Sequence, residues 1–268
     1  MTLLEYFKLH KEPFTKEIDT ANLYPSSQHQ ELYARLTYVI QSRCIGLVTG
    51  EVGSGKSTAV RSVATKLDQS KYSFIYISNS NLNPKSFYRD FLMEFGVEPA
   101  YQVSEAKRQF DSIIIDFYKN QNKQFVIAID EVDLLNDAMI HEIKFLSNFQ
   151  IDSLSPISLL LIGQPQLRAR LRLKMFEAIA QRVHVRFHLS GLSPEETKGY
   201  IKHQLQVAGG KRELFSDDAI KLIHNFTHGI PRIINNISIG CLLETMMRQS
   251  EIVDPSSVER VYQEMQQM

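Results

Sequence analysis

The sequence predicts an α/β protein: a parallel five-stranded sheet flanked by helices, followed by a small all-helical lid domain. Five short apolar runs, rich in β-branched and aromatic residues, fall at 44–49, 73–78, 125–129, 157–162 and 184–189, and each has the length of a strand. Helix-like segments separate most of them, the order that builds a parallel sheet through crossover helices. After Leu189 the strand pattern stops and helix signals alone remain.

Residues 1–43 read as an N-terminal arm and a first helix packed on the core, 44–190 as the α/β core and 191–268 as the lid. The second to fourth runs lack clean alternation, as expected of strands covered on both faces. In the lid, Ser193-Pro194-Glu195-Glu196 opens a helix with an N-cap, a proline in the first turn and early acids, and Gly209-Gly210 closes it. Ser216-Asp217-Asp218 starts a second helix, Pro231 a third running towards Met247, and Asp254-Pro255 a fourth.

With 268 residues, 43% hydrophobic and 22% charged, the chain has material for one large domain or two smaller ones, and disorder is excluded as its main theme. Lys plus Arg is 30 and Asp plus Glu is 30, so the formal charge is zero. That balance excludes a monomer held to nucleic acid by bulk charge; binding there needs a local basic stripe or the summed surface of an oligomer. Cys44 and Cys241 lie far apart among apolar neighbours, forming neither a metal spacing nor a disulfide framework, which points to a reducing compartment. The N-terminus lacks an apolar core of signal-peptide length, and no stretch approaches the roughly 18 apolar residues of a membrane span. The expectation is a soluble, cytoplasmic protein without a membrane partner.

The segment Gly50-Glu51-Val52-Gly53-Ser54-Gly55-Lys56-Ser57 fits the phosphate-binding loop G-x-x-x-x-G-K-[ST], placed after the strand ending at Thr49 and before a helical stretch from Thr58 to Leu67. Glycines let the backbone curl so that successive N–H groups point inward at an anion. Lys56 supplies positive charge to the terminal phosphates, and the Ser57 hydroxyl can ligate Mg²⁺. A glycine-rich turn joining strand to helix would account for the glycines, but not for a Lys-Ser pair at this offset. Phe125-Val126-Ile127-Ala128-Ile129 then ends in Asp130-Glu131, two carboxylates at the C-terminal end of an apolar strand, where ligands bind in open α/β sheets. Asp130 is placed to hold the magnesium through water, and Glu131 to polarise the water that attacks the terminal phosphate. Asp133 reads as the solvated start of the next helix.

The combined pattern resembles the AAA+ ATPases, and more narrowly the group typified by the general secretion pathway protein ExeA and the transposition ATPase TniB, with TnsC and MuB as more distant relatives. The likeness runs from Phe7-Lys8-Leu9-His10-Lys11-Glu12-Pro13-Phe14 and Leu23-Tyr24-Pro25-Ser26, through Gly50 to Ser57 and Ile129-Asp130-Glu131. It continues in Leu161-Ile162-Gly163-Gln164-Pro165-Gln166-Leu167, Ala180-Gln181-Arg182-Val183 and Gly229-Ile230-Pro231-Arg232-Ile233-Ile234-Asn235. The resemblance implies a P-loop NTPase fold with ATP and Mg²⁺ as cofactors, held by Gly50 to Ser57, Thr58 and Asp130. It matches Gln164 to sensor 1, a side chain touching the terminal phosphate or its attacking water, or else simply a polar strand end. It matches Arg232 to sensor 2 in the lid, and Arg182 to an arginine finger completing a neighbouring subunit's site. Arg168, Arg170, Arg172 and Arg186 compete for that last role. Tyr24 or a neighbour would lie against adenine, while core packing is the alternative for Phe7, Phe14 and Tyr24.

Arg168-Ala169-Arg170-Leu171-Arg172-Leu173-Lys174 carries four cations at every second position. On a helix, Arg168, Arg172 and Lys174 share a broad face that would meet duplex DNA phosphates once per subunit of a ring or filament; a solvated helix is the alternative. The leading expectation is therefore an ATP-hydrolysing homo-oligomer, ring or helical filament, that assembles on double-stranded DNA and regulates transposition by recruiting a transposase or target-selection protein. The sequence ends soon after the lid, without the membrane span and wall-binding region of ExeA-type proteins, which favours this branch. An ExeA-like secretion or envelope assembly ATPase and a P-loop phosphotransferase remain the alternatives.

Overall fold

The computed structural model describes residues 2–146, 149 and 154–267. The elements in chain order are α1 (Leu3–Phe7), α2 (Ser27–Gln41), β1 (Ile45–Gly50), α3 (Lys56–Ala64), β2 (Tyr72–Ser78), α4 (Pro84–Glu94), α5 (Val103–Asn120), β3 (Gln124–Asp130) and α6 (Asp137–Leu146). They continue as β4 (Ile157–Gly163), α7 (Gln166–Arg170), α8 (Glu177–Arg182), β5 (Val183–Leu189), α9 (Pro194–Val207), α10 (Asp217–Thr227), α11 (Pro231–Met247) and α12 (Pro255–Gln266). Single 3-10 turns occupy Thr20–Asn22, Val132–Leu134 and Lys174–Phe176. The chain divides into two compact units, one of residues 31–50 and 56–189, the other of residues 1–30, 51–55 and 190–268.

The first unit holds the sheet, in the order β2-β3-β4-β1-β5 with every pairing parallel. Side chains alternate across a strand, so each strand feeds two cores. On one face, Leu47, Ile75, Phe125, Ile127, Ile129, Leu159 and Leu161 pack in one cluster with residues of α4, α5, α6 and α8. On the other, Val48, Val126, Ala128, Leu160 and Ile162 meet Leu32, Leu36 and Val39 of α2 and Ala59, Val60 and Val63 of α3. β1, β3 and β4 are buried along almost their whole length, as their unbroken apolar runs require. β2 departs from the expectation of cover on both faces. It is an edge strand, partly exposed throughout with Ile75 alone fully buried, because chain order is not sheet order and the first crossover carries the chain past two strands before it pairs.

The second unit is helical. Tyr200, Ile201, Ile220, Ile223, Ile234, Ile237, Leu242 and Val258 from α9 to α12 form one core, and Phe7, Leu9 and Phe14 lie in that same core. The N-terminal arm therefore groups with the helical unit up to residue 30, and not with the sheet core where the sequence reading put residues 1–43. Three aromatic or aliphatic side chains in a short arm have to be buried somewhere, and sequence spacing does not say against which face.

All four lid helices start where the sequence signals put them, α9, α10 and α12 on side-chain caps and α11 at Pro231. α9 carries a full capping box, in which the Glu196 N–H donates to Ser193 Oγ at 3.1 Å and the Ser193 N–H to Glu196 Oε2 at 3.1 Å. Glu196 Oε1 also accepts from the Ser27 N–H and Ser27 Oγ, both at 2.8 Å. Burial opposes the charge on Glu196, but the hydrogen bonds from Ser27 and Ser193 outweigh it and hold the carboxyl below its ordinary range. A depressed folded-state value means stability that is present above the ordinary carboxylate range and lost as pH falls through the folded value. Glu196→Gln is expected to cost on the order of 1 kcal/mol at neutral pH. In urea titrations followed by circular dichroism, the gap to the unmodified chain should close as the pH drops below that range.

Candidate functional site

β1 ends at Gly50, where the chain leaves the sheet and curls before α3 begins at Lys56. Gly53 and Gly55 sit at φ +83° and +104°, a region open to glycine at little cost. Gly53 has a second constraint: a Cβ there would lie 2.4 Å from Cβ of Arg232. The Arg232 N–H donates to Gly53 O at 3.2 Å, so the start of α11 is pinned to the tip of the loop. Ser54 is buried and its hydroxyl has no hydrogen-bond partner, an orphan that an anion among the loop amides would satisfy. Glu51 and Val52 are exposed on the curl, and Thr58 is half-buried one residue beyond Ser57. α3 starts two residues earlier than the sequence reading placed it and stops at Ala64 instead of Leu67.

Within the sheet unit, the Lys56 ammonium donates to Gly50 O at 2.8 Å, which folds the lysine back over the loop. Ser57 Oγ donates to Asp130 Oδ2 at 2.9 Å. Asp130 is 7% exposed at the end of β3, and its other oxygen accepts the Glu131 N–H at 2.8 Å. Ser57 and Asp130 together present the hard oxygen donors that suit magnesium. That donor pair fits a magnesium ion.

A third donor was absent from the sequence reading. Tyr76, 44% exposed on edge strand β2, donates its hydroxyl to Asp130 Oδ2 in a very short hydrogen bond. Burial and then the carboxylate beside it push the phenol up to about 12, so it remains a donor throughout the physiological range. The register explains the meeting: Tyr76 pairs with Ala128 and Ser78 with Asp130, which puts Tyr76 on the same face as the carboxylate. That face was legible in the alternation of β2; the identity of its neighbour strand was not.

Glu131 follows at φ +55°, ψ +34°, exposed, capping a 3-10 turn. A non-glycine residue in this region costs about 1 kcal/mol or more, the kind of strain that gathers at functional sites. The turn brings Asp133 round, and here the sequence reading needs correction. Asp133 is no solvated helix start: it is half-buried, and its Oδ1 accepts the Gln164 N–H at 2.8 Å while its carbonyl accepts Arg170 Nη1 at 3.0 Å. Gly163 beside it has no room for a Cβ, which would meet Leu167 at 2.7 Å and Asp133 Oδ1 at 2.8 Å. The loop after β4 that carries Gln164 is thereby fastened to the turn that carries Glu131.

The basic run behaves differently from the helix expected of it. α7 ends at Arg170 and the chain leaves the helix before the 3-10 segment at Lys174, so Lys174 falls outside the helical turn that carries Arg168 and Arg172. Arg170 is engaged internally, paired with Asp137 at 2.5 Å. Arg182 closes α8 and donates Nη1 to Lys144 O at 3.3 Å within its own unit. Tyr24 packs edge-on against Tyr200 and beside His203 in the helical unit, as the packing alternative required.

The chain is similar to known proteins. Residues 39–171 match the family model described as AAA domain. The chain carries an AAA domain. Over 249 residues, 92% of its length, it is 32% identical to General secretion pathway protein A of Aeromonas hydrophila, and it spans 45% of that relative. Among solved structures it is similar to Cdc6p from Pyrobaculum aerophilum, with a TM-score of 0.72 at 12% identity, covering 94% of this chain and 70% of that one. Drosophila ORC bound to DNA gives a TM-score of 0.66 at 17% identity, over 98% of this chain and 65% of that one. The Thermotoga maritima RuvB Holliday junction branch migration motor gives 0.59 at 18%, over 90% and 72%. At these identities the structural likeness is one of fold: a P-loop AAA+ sheet with a helical C-terminal region. No helix among the described residues is long and apolar enough to cross a membrane.

The AAA domain's Asp133 contact makes a prediction of its own. Asp133→Ala leaves the half-buried Gln164 N–H without its acceptor and should cost about 1–3 kcal/mol in urea unfolding. Asp133→Asn keeps an oxygen at that position and should retain most of the stability.

Proposed function

We propose that the chain binds ATP with magnesium, hydrolyses it, and uses the cycle to join and release copies of itself while organising protein partners. The observation that carries this reading is the buried Asp130 carboxylate hydrogen-bonded to Ser57 of the phosphate loop, with Glu131 exposed next to it. Gly50 to Ser57 and Thr58 hold the phosphates, with Lys56 neutralising the terminal ones. Ser57 binds magnesium directly and Asp130 through water; the bound ion supplies charge neutralisation on the phosphate oxygens. Glu131 accepts the proton of the attacking water. Gln164, fixed through its backbone to Asp133, orients that water or the terminal phosphate.

Arg232, tied to the loop tip by its own N–H, senses occupancy of the loop. Arg182 acts in trans on the neighbouring copy, giving up its bond to Lys144 O when subunits meet.

For partners, the 32% identity to General secretion pathway protein A favours protein assembly of the secretion or envelope kind. Transposase recruitment on duplex DNA ranks behind it, because DNA enters the comparison through neighbours such as Drosophila ORC at 17% identity. Relay of phosphate to a small-molecule acceptor ranks last, since Glu131 is suited to activating water.

Lys56→Ala is expected to abolish ATP binding and, by light scattering, nucleotide-dependent assembly. Glu131→Gln should retain binding, lose about 10²–10⁴-fold in phosphate release and leave the assembly frozen. Mixing Arg182→Ala with Glu131→Gln chains should restore part of the activity. Unchanged turnover in Glu131→Gln would remove the assigned base.

A further inference from the structure

One cavity of the sheet unit, about 160 Å³, plays no part in the chemistry above. It lies on the face of β1 and β5 that carries Leu47, Thr49, Arg186 and His188, and is walled by Arg168, Leu171 and Arg172 together with Ala180. By register Leu47 pairs with Arg186 and Thr49 with His188, so these four point the same way. Asp130 is on the opposite face, two residues on from Ala128 in the cluster built with α3, whereas Leu47 belongs to the other cluster. The cavity and the Ser57–Asp130 pair therefore sit on different sides of the sheet.

Its wall is cationic and unbalanced. Arg168, Arg172 and Arg186 converge on it, and among the described residues no carboxylate lines it. The Arg168 and Arg172 guanidiniums have neither an ion-pair nor a hydrogen-bond partner among the described residues, whereas Arg170 between them pairs with Asp137. Arg186 donates Nη2 to Ala180 O at 2.5 Å, which orients it without neutralising it. Thr49 Oγ1 and His188 Nδ1 share a hydrogen bond of 3.1 Å in the lining, adding further polar atoms. In a chain of zero formal charge, three like charges around one small cavity repel unless an anion sits between them. Guanidinium forks match the oxygens of a phosphoryl group two at a time.

We propose that this cavity is a second anion site, specific for a phosphoryl dianion: free phosphate or the monoester of a small alcohol. Three cations favour a dianion over the single charge of a phosphodiester. A cavity of about 160 Å³ suits one phosphoryl group with a small substituent. Arg168 and Arg172, one helical turn apart, stand on one wall of it.

The test is calorimetry at low salt on the full chain carrying Lys56→Ala, which takes the phosphate loop out of the measurement, with inorganic phosphate and glycerol 3-phosphate as probes. One phosphate per chain is expected, weakened at least tenfold when Arg168→Ala and Arg172→Ala are added. Both of those side chains are exposed, and an unchanged thermal midpoint verifies the fold. Tighter binding of glycerol 3-phosphate assigns the monoester as the source, and tighter binding of phosphate assigns the free ion. No binding in the Lys56→Ala chain, binding indifferent to the arginine pair, or displacement of phosphate by a DNA duplex lacking terminal phosphates would each overturn the proposal.

Discussion

A carboxylate at the end of a buried strand is costly unless donors surround it, and Asp130 is such a carboxylate. Its donors come from three directions: Ser57 from the start of α3, Tyr76 from the edge strand, and the N–H of Glu131 from the turn that follows. Satisfying Asp130 thus fixes the register of β2 on β3, the start of the helix after the phosphate loop, and the left-handed turn at Glu131. From that turn the constraint passes on through Asp133 to Gln164 after β4.

Part of the loop belongs to the helical unit. Its tip, residues 51–55, groups with the helical unit, where Gly53 O receives the Arg232 N–H and Gly53 leaves no space for a side chain against Arg232. A phosphate that reshapes the curl would pull on this hydrogen bond at the first turn of α11.

What could be read from the sequence was whatever local chemistry decides. The phosphate loop, the apolar strand ending in Asp130-Glu131 and the caps at Ser193, Ser216 and Asp254 each depend on residues within a turn or two of one another, and the structure places them there. What could not be read depends on which strands become neighbours. Tyr76 looks like an ordinary strand aromatic until β2 pairs with β3 in register, and Asp133 looks like a helix start until β4 brings Gln164 alongside. The arm of residues 1–30 could bury Phe7 and Phe14 against either unit. The basic run departs from one continuous helix for a local reason: Arg170 is held by Asp133 and Asp137, the helix stops there, and Lys174 lies beyond it in a separate 3-10 turn.

The central claim is that the curl at residues 50–57 would hold the phosphates of a nucleotide, with its magnesium held by Ser57 and, through water, by Asp130. Isothermal titration of the unmodified chain with ATP, with magnesium and then with chelator, measures this without reference to turnover, partner or assembly. One ATP per chain, bound at least tenfold more tightly with magnesium than without, and a Ser57→Ala chain that loses this magnesium dependence, are the predicted results. An absence of binding, or an affinity for ATP that neither magnesium nor Ser57 alters, would contradict the account.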